Sequence, residues 1–302
     1  MSYKIIIDSC GELTEAMKAD EHFGSAALTL YVDDHTIVDD ETFDQHQFLK
    51  LVAESPNCPK SACPSPESFR DKFDCGADHV YAVTLSSELS GSYNSAELGK
   101  NLFLEEHPEK KAYVFNSRSA SVGETLIGLK IQECEEAGMA FEEVVEQVEA
   151  YIEKQNTWFV LESLETLRKN GRLSHMKAIL ATALKIKPVM TATPEGTIEQ
   201  LAQARGMNKA LVKMTDAIVE YVGQDQDRIL ALSHCNCPQR AEMVRDELNR
   251  RLHLKDIIVV DTAGVSSMYA NDGGIIAVVY KYDRNNQITR QEMRLSGDFS
   301  CF

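Results

Sequence analysis

The stretch Thr84-Leu-Ser-Ser-Glu-Leu-Ser-Gly-Ser-Tyr-Asn-Ser-Ala96 constrains the fold more than any other. Upstream of it, His79-Val-Tyr-Ala-Val-Thr-Leu85 is a continuous apolar run of β-branched and aromatic residues, the pattern of a buried strand. Downstream, Tyr93, Ala96, Gly99 and Phe103 recur at helical spacing. Ser90 stands where the helix begins and is its expected N-cap. A helix N-terminus offers free backbone N–H groups and the positive end of a dipole, so it favours an anion. Gly91, without a side chain, would let that anion approach the backbone. The functional reading is an anion cradle made of neutral hydroxyls. The plain alternative is a strand–cap–helix turn whose serines serve only their own helix.

Composition narrows the ligand. With 302 residues, 43% of them hydrophobic, the chain is long for one core and suits two domains. The net charge of −16 argues against nucleic acid, whose binding rests on Lys and Arg at phosphates, and against an anionic membrane surface. Any bound anion must be met by local donors. Tyr3-Lys-Ile-Ile-Ile-Asp8 reads as a strand, too short and too early for a signal peptide, and no apolar segment is long enough for stable membrane insertion. Eight scattered cysteines read as reduced thiols, so a cytoplasmic protein is expected.

The order of elements implies the architecture. Strand 4–7 leads to the loop Asp8-Ser9-Cys10-Gly11 and a short helix capped by Thr14. Strands at 27–32 and 35–38, through Asp33-Asp34, suggest a hairpin, followed by a helix over 43–53. Ser55-Pro-Asn-Cys-Pro-Lys-Ser-Ala-Cys-Pro-Ser-Pro66 then breaks all periodicity, and its prolines hold the backbone extended. It is either a rigid ligand-contacting loop or a connector. A helix from Pro66, the strand at 79–85, the helix from 91, a strand at 112–115, a helix to about 137 and an amphipathic helix over 141–152 follow. Alternating strands and helices imply a parallel sheet with helices on its faces and ligands at the strands' carboxyl ends, so the loops 8–11, 86–91 and 116–121 are expected on one edge. After residue 156 the texture changes. Strands at 157–161, 188–192, 197–204, 229–233, 257–260 and 275–282, with short helices at 164–168 and 178–184 and longer ones at 207–221 and 239–252, suggest a mixed sheet. The expected fold is therefore α/β in two domains, 1–156 and 157–302.

The chain contains no G-x-G-x-x-G, P-loop, G-x-S-x-G or H-E-x-x-H signature. His234-Cys235-Asn236-Cys237 has no matching second Cys/His pair, so no metal site is expected from it. Leu167-Arg-Lys-Asn-Gly-Arg-Leu-Ser-His175 is a basic run in an acidic chain, and Arg205 is another isolated arginine in a comparable loop position. These are either a phosphate-facing or docking patch or the solvated cations of a helix end. Tyr269-Ala-Asn-Asp-Gly-Gly274 reads as a polar turn before a buried strand.

Asp8-Ser9, Ser61-Ala-Cys-Pro-Ser-Pro66, Ser86-Ser-Glu-Leu-Ser-Gly-Ser92 and Leu164-Glu-Thr-Leu-Arg-Lys-Asn-Gly-Arg-Leu-Ser174, in this order, resemble the DegV family, which includes the fatty-acid-binding B subunits of bacterial fatty-acid kinase. The resemblance implies two α/β domains with one long-chain fatty acid (palmitate, stearate or oleate class) in an apolar tunnel between them. It implies that the carboxylate is gripped by two hydroxyls, which fall on Ser61 and on Ser90 beside Gly91. It implies docking arginines at Arg172 and Arg205, a separate ATP-dependent kinase subunit that makes the acyl phosphate, and no catalysis or cofactor in this chain. The sequence departs from the family at Ala62 and Cys63, where Ser and Gln are usual, and at Asn116, where Asp is usual. It also has no histidine in Ala270-Asn-Asp-Gly-Gly274, where the family has H-x-G-P-G. Tyr269 or Asn271 stands as the substitute donor near the carboxylate. The rival readings are a serine hydrolase of lipid esters acting through Ser90, with His175 or His234 as base, and a transcriptional or interaction protein.

Overall fold

The computed structural model describes residues 2–173, 185–223 and 228–280. The chain opens with β1 (Tyr3–Asp8), α1 (Glu15–Ala19), β2 (Phe23–Ala26), β3 (Thr29–Val32), β4 (His35–Val38) and α2 (Gln45–Glu54). Then come β5 (Lys60–Ala62), α3 (Pro66–Phe73), β6 (His79–Thr84), α4 (Ser92–Glu106), β7 (Lys111–Asn116), α5 (Val122–Glu136) and α6 (Phe141–Ile152). The remainder holds β8 (Gln155–Val160), α7 (Glu165–Lys169), β9 (Ile186–Ala192), β10 (Ile198–Arg205), α8 (Met207–Val222), β11 (Arg228–His234), α9 (Pro238–Arg251), β12 (Leu254–Asp261), α10 (Gly264–Ala270) and β13 (Ile275–Tyr280). The helix expected at 178–184, His175, and everything after residue 280 lie outside the described residues. Among the described residues, no helix is long and apolar enough to cross a membrane.

The fold is α/β, with a parallel sheet in order β2-β1-β6-β7 and a mixed sheet in order β10-β9-β8-β13-β11-β12. Every residue of β6 is buried, as its unbroken apolar run requires. The division expected at residue 156 falls just inside β8, which joins the mixed sheet from Gln155 onward. The expected hairpin forms as β3 and β4, but the proline-rich segment is not all loop. Its residues Lys60–Ala62 add β5 to the other edge of β3, making a small antiparallel sheet. The sequence signal was weak because the strand is short and sits among prolines. The polar turn expected at 269–274 also begins later than expected, because α10 occupies Gly264–Ala270.

Helix α5 is wedged between the two large sheets. It packs on β1 and β6 of the parallel sheet and on β8, β11 and β13 of the mixed one. Its first turns, Val122–Gly128, are therefore buried on every side. Val122, Leu126 and Ile127 share one core with Ile5 and Phe115 from one sheet and Ala231 and Val278 from the other. This shared core joins one face of each sheet.

Helices α3 and α4 follow the two loops that matter for function, and their contact brings those loops together. Gly99 lies against α3 so closely that a Cβ there would sit 2.6 Å from the carbonyl oxygen of Pro66 and 2.7 Å from Cβ of Phe69. Gly91, at the head of α4, meets Cys63 at the end of the β5 segment, where a Cβ would lie 3.4 Å from the Cys63 sulfur. Because backbone cannot move aside as a side-chain tip can, Gly99→Ala is expected to lower stability by about 1–3 kcal/mol. Urea denaturation checks this; an unchanged midpoint would show that α3 does not press on α4.

Candidate functional site

An open cavity, about 740 Å³ counting the solvent space at its opening, lies at the carboxyl ends of β1, β6 and β7 and against the inner face of the mixed sheet. Both halves of the chain wall it. Leu85, Leu89, Ala120, Phe159, Leu161, Leu167, Ile198, Val265 and Ile276 make most of the lining. Two serines that also line it are turned to internal partners. Ser266 Oγ donates to the Cys10 carbonyl at 2.9 Å, and Ser121 Oγ donates to the Glu12 carboxylate at 2.8 Å. Their hydrogen-bonding capacity is thus used inside the wall, and the cavity they line is apolar.

At one end the lining changes to Arg172 and Tyr269. Arg172 donates through Nε to the Leu89 carbonyl, 3.0 Å away, which sets its guanidinium beside Ser90. It also hydrogen-bonds the Asn170 carbonyl. Burial pushes the Tyr269 phenol up, while the Arg172 charge and the Ser61 hydroxyl, both close enough to act on it, pull the other way. Ser61, half-buried, pairs with Leu30 in the β3–β5 ladder. Ser61, Tyr269, Arg172 and the Leu89–Gly91 turn therefore meet at one mouth.

The serine loop has a different local geometry from the one expected. Gly91, not Ser90, is the N-cap of α4, and it has no side-chain cap bond. Ser90 lies one residue earlier, and its Oγ accepts from the Ser92 N–H at 3.2 Å. The shift follows from the tight turn before it, in which the Ser86 carbonyl accepts from both Leu89 and Ser90 N–H groups and delays the first helical turn. Asn116, in place of the family's Asp, accepts from the N–H groups of Ser87 and Arg118 through Oδ1 and donates through Nδ2 to Ser87 Oγ at 2.8 Å. The amide makes that last bond, which a carboxylate cannot donate.

Behind the wall formed by Cys10, Ser121 and Ser266 lies a group of buried carboxyls. Asp8 is fully buried and accepts from Cys10 N–H at 3.0 Å, Leu85 N–H at 3.0 Å and Ser92 Oγ at 2.6 Å. Asp39 accepts from the Gly264 and Val265 N–H groups at 2.7 and 2.8 Å and from Ser9 Oγ, thereby capping α10. Burial pushes Asp39 up to about 6 and Glu12 up to about 7, against the hydrogen bonds that favour their ionised forms. Glu124, at the buried start of α5, is pushed well above the ordinary range by burial and by the Asp8 charge, which favour its neutral form.

A model described as "Uncharacterised protein, DegV family" matches residues 2–282. The chain belongs to the DegV family. A DegV domain-containing protein of Streptococcus pneumoniae is 36% identical over 281 residues, covering 91% of this chain and 98% of that one. Among solved structures, a DegV family protein of Ruminococcus gnavus with vaccenic acid superposes with a TM-score of 0.89 at 57% identity, over 92% of this chain and 99% of that one. The fatty acid kinase (Fak) B3 protein of Streptococcus pneumoniae loaded with linoleic acid gives a TM-score of 0.81 at 35% identity, over 94% and 100%. A Eubacterium eligens DegV protein loaded with heptadecanoic acid gives 0.84 at 29%, over 93% and 100%.

Within this DegV chain the expected site residues separate. Ser61, Ser90, Gly91, Tyr269 and Arg172 come together. Ala62 follows Ser61 on a strand, so it faces the opposite way, and it is exposed. Asn271 is spent on the carbonyls of Ser163 and Tyr269, which leaves Tyr269 as the phenol donor at the mouth. Arg205 is exposed at the end of β10, away from the cavity lining, whereas Arg172 is part of it. No histidine lines the cavity among the described residues; His234 Nδ1 instead lies against the Cys237 N–H and the Asp261 carboxylate. The sequence reading did not find the buried acids Glu12, Asp39 and Glu124. Glu124 within Val122-Gly-Glu-Thr-Leu-Ile-Gly128 was the one available signal, an acid in an apolar helical run.

Because Glu12 and Asp39 titrate higher in the folded chain than in the unfolded one, the folded state holds protons that the unfolded state has released. Their contribution is fully present below the ordinary carboxylate range and is lost as pH rises through about 6 and about 7. The melting temperature is therefore expected to fall between about pH 5 and about pH 8, and Glu12→Gln to flatten the upper part of that fall. Differential scanning fluorimetry reads this directly; a rising melting temperature over that window would contradict it.

Proposed function

We propose that this DegV protein binds one long-chain fatty acid and presents its carboxylate to a separate ATP-dependent kinase subunit. The observation that carries the reading is the apolar cavity ending at a polar mouth of Ser61, Ser90, Tyr269 and Arg172. Fatty acids in the solved relatives from Ruminococcus gnavus and Eubacterium eligens and in the Fak B3 protein support it.

In this reading the acyl chain lies against Leu85, Phe159, Leu161 and Ile276, and each buried methylene contributes about 0.8 kcal/mol. The carboxylate accepts from Ser61 and Ser90 and from the free N–H groups at the start of α4. Arg172 offsets its charge, and the Tyr269 phenol donates where the family has a histidine. The chemistry belongs to the partner: a carboxylate oxygen attacks the γ-phosphorus of ATP, ADP leaves, and an acyl phosphate results. This chain is a cytoplasmic carrier built from units 1–156 and 157–302, with Arg205 on the docking face. The cavity lining offers no histidine base for a hydrolase among the described residues.

Native mass spectrometry of the purified protein is expected to show one bound fatty acid. Hydrogen bonds to a charged group are worth about 1.5–3 kcal/mol, so Ser61→Ala with Ser90→Ala should weaken retention at least tenfold. Full retention at unchanged melting temperature would refute the grip. Arg205→Ala should leave lipid retention intact and weaken acyl-phosphate formation with a kinase subunit, measured by hydroxylamine trapping. Arg172→Ala should reduce both.

A further inference from the structure

A second cavity of about 290 Å³ adjoins the first, and Arg118, Ser119, Thr157 and Ala192 line both. Between them, Ser119 Oγ and Thr157 Oγ1 share a buried hydrogen bond of 2.6 Å that joins the loop after β7 to β8. The two spaces differ in chemistry. The first is walled mostly by aliphatic and aromatic side chains, while the second also meets Ser117, Glu153, Gln155 and Thr193. The amide of Gln155 is buried with no hydrogen-bond partner, a need that no hydrocarbon can meet. A methylene entering the first space leaves water for an apolar wall, whereas one entering the second meets hydroxyl and charged groups and returns no hydrogen bond to them.

Resting on the lipid-binding reading, we propose that the Ser119–Thr157 hydroxyl pair is the floor of the lipid cavity and sets the longest acyl chain it accepts. Thr157, Phe159 and Leu161 occupy successive inward positions along β8 and its exit. Leu161 shares a core with Leu167 and Leu173, next to Arg172 at the mouth. At strand spacing, Thr157 lies roughly 13 Å deeper than Leu161. The floor is also braced. Gly123 of α5 leaves no room for a side chain against Ser119, Thr191 Oγ1 donates to the Thr157 carbonyl at 2.8 Å, and Gly196 packs against Ser86 and Arg118. Ser119 Oγ has no room to swing toward α5, where Gly123 lies against it, and the Thr157 backbone is tied to Thr191, so the pair stops the chain's methyl end instead of yielding to it.

The test changes the depth in both directions. Wild type, Thr157→Leu and Thr157→Ala are each loaded with an equimolar series of straight-chain saturated fatty acids of increasing length, and the bound population is read by native mass spectrometry beside a melting curve. Thr157→Leu should shift the population to shorter acids, by about fourfold for each methylene excluded. Thr157→Ala should shift it to longer ones. An unchanged length distribution in a folded, lipid-bound variant overturns the floor, and either variant suffices if the other fails to fold. A wild-type protein that takes up no acid of any length defeats the lipid-binding reading, and the floor with it.

Discussion

The carboxylate of Asp8 holds the serine loop where it is. It stands at the end of β1, fully buried, and takes the N–H of Leu85 and the hydroxyl of Ser92, the two ends of the turn that carries Ser90 and Gly91. A buried anion is tolerated only when its lone pairs are met, and here three donors meet them. The need to satisfy Asp8 therefore dictates the path of the chain between β6 and α4. Burial and the Asp8 charge push the neighbouring Glu124 well above the ordinary carboxylate range, which favours its neutral form at the crowded head of α5.

Asp39 and Glu12 extend the same device toward the end of the chain. Asp39 takes the first N–H groups of α10, and Glu12 takes Ser121 and, at 3.4 Å, the N–H of Ala263. The far end of α10 carries Tyr269 to the mouth of the cavity. Acids that never touch the cavity thus place the phenol that does. Because Ser121 and Ser266 direct their hydroxyls into this network, the charged layer is screened from the apolar space above it. An apolar ligand and a set of buried carboxyls can lie close together only with such a lining between them.

The sequence made the large features legible. The apolar run at 79–85, the stripe of Met207, Leu211, Met214 and Ile218, and the alternation of strand and helix in the first half each reflect a local periodicity that burial imposes. Ser61, Ser90 and the basic run at Arg172 were legible as motifs. Other features were less so. Lys60–Ala62 has too few residues to show a period, and α10, with glycine, serines and a tyrosine in one short helix, follows its packing on the small sheet and not its helix propensity. Gly91 took the cap expected of Ser90 because the turn at Ser86 used the preceding N–H groups.

What the amino-acid sequence determined by itself was the α/β class, the parallel-then-mixed order of sheets, and the presence of hydroxyls at a helix start. These depend on side-chain period and on chemistry between near neighbours in the chain. Tertiary structure alone decided that Arg172 joins the cavity while Arg205 stays on the surface, that Tyr269 and not Asn271 faces the mouth, and that Ser119 meets Thr157. Each of those outcomes is set by α5 lying between two sheets and by contacts between residues far apart in the chain, whose geometry no local pattern encodes.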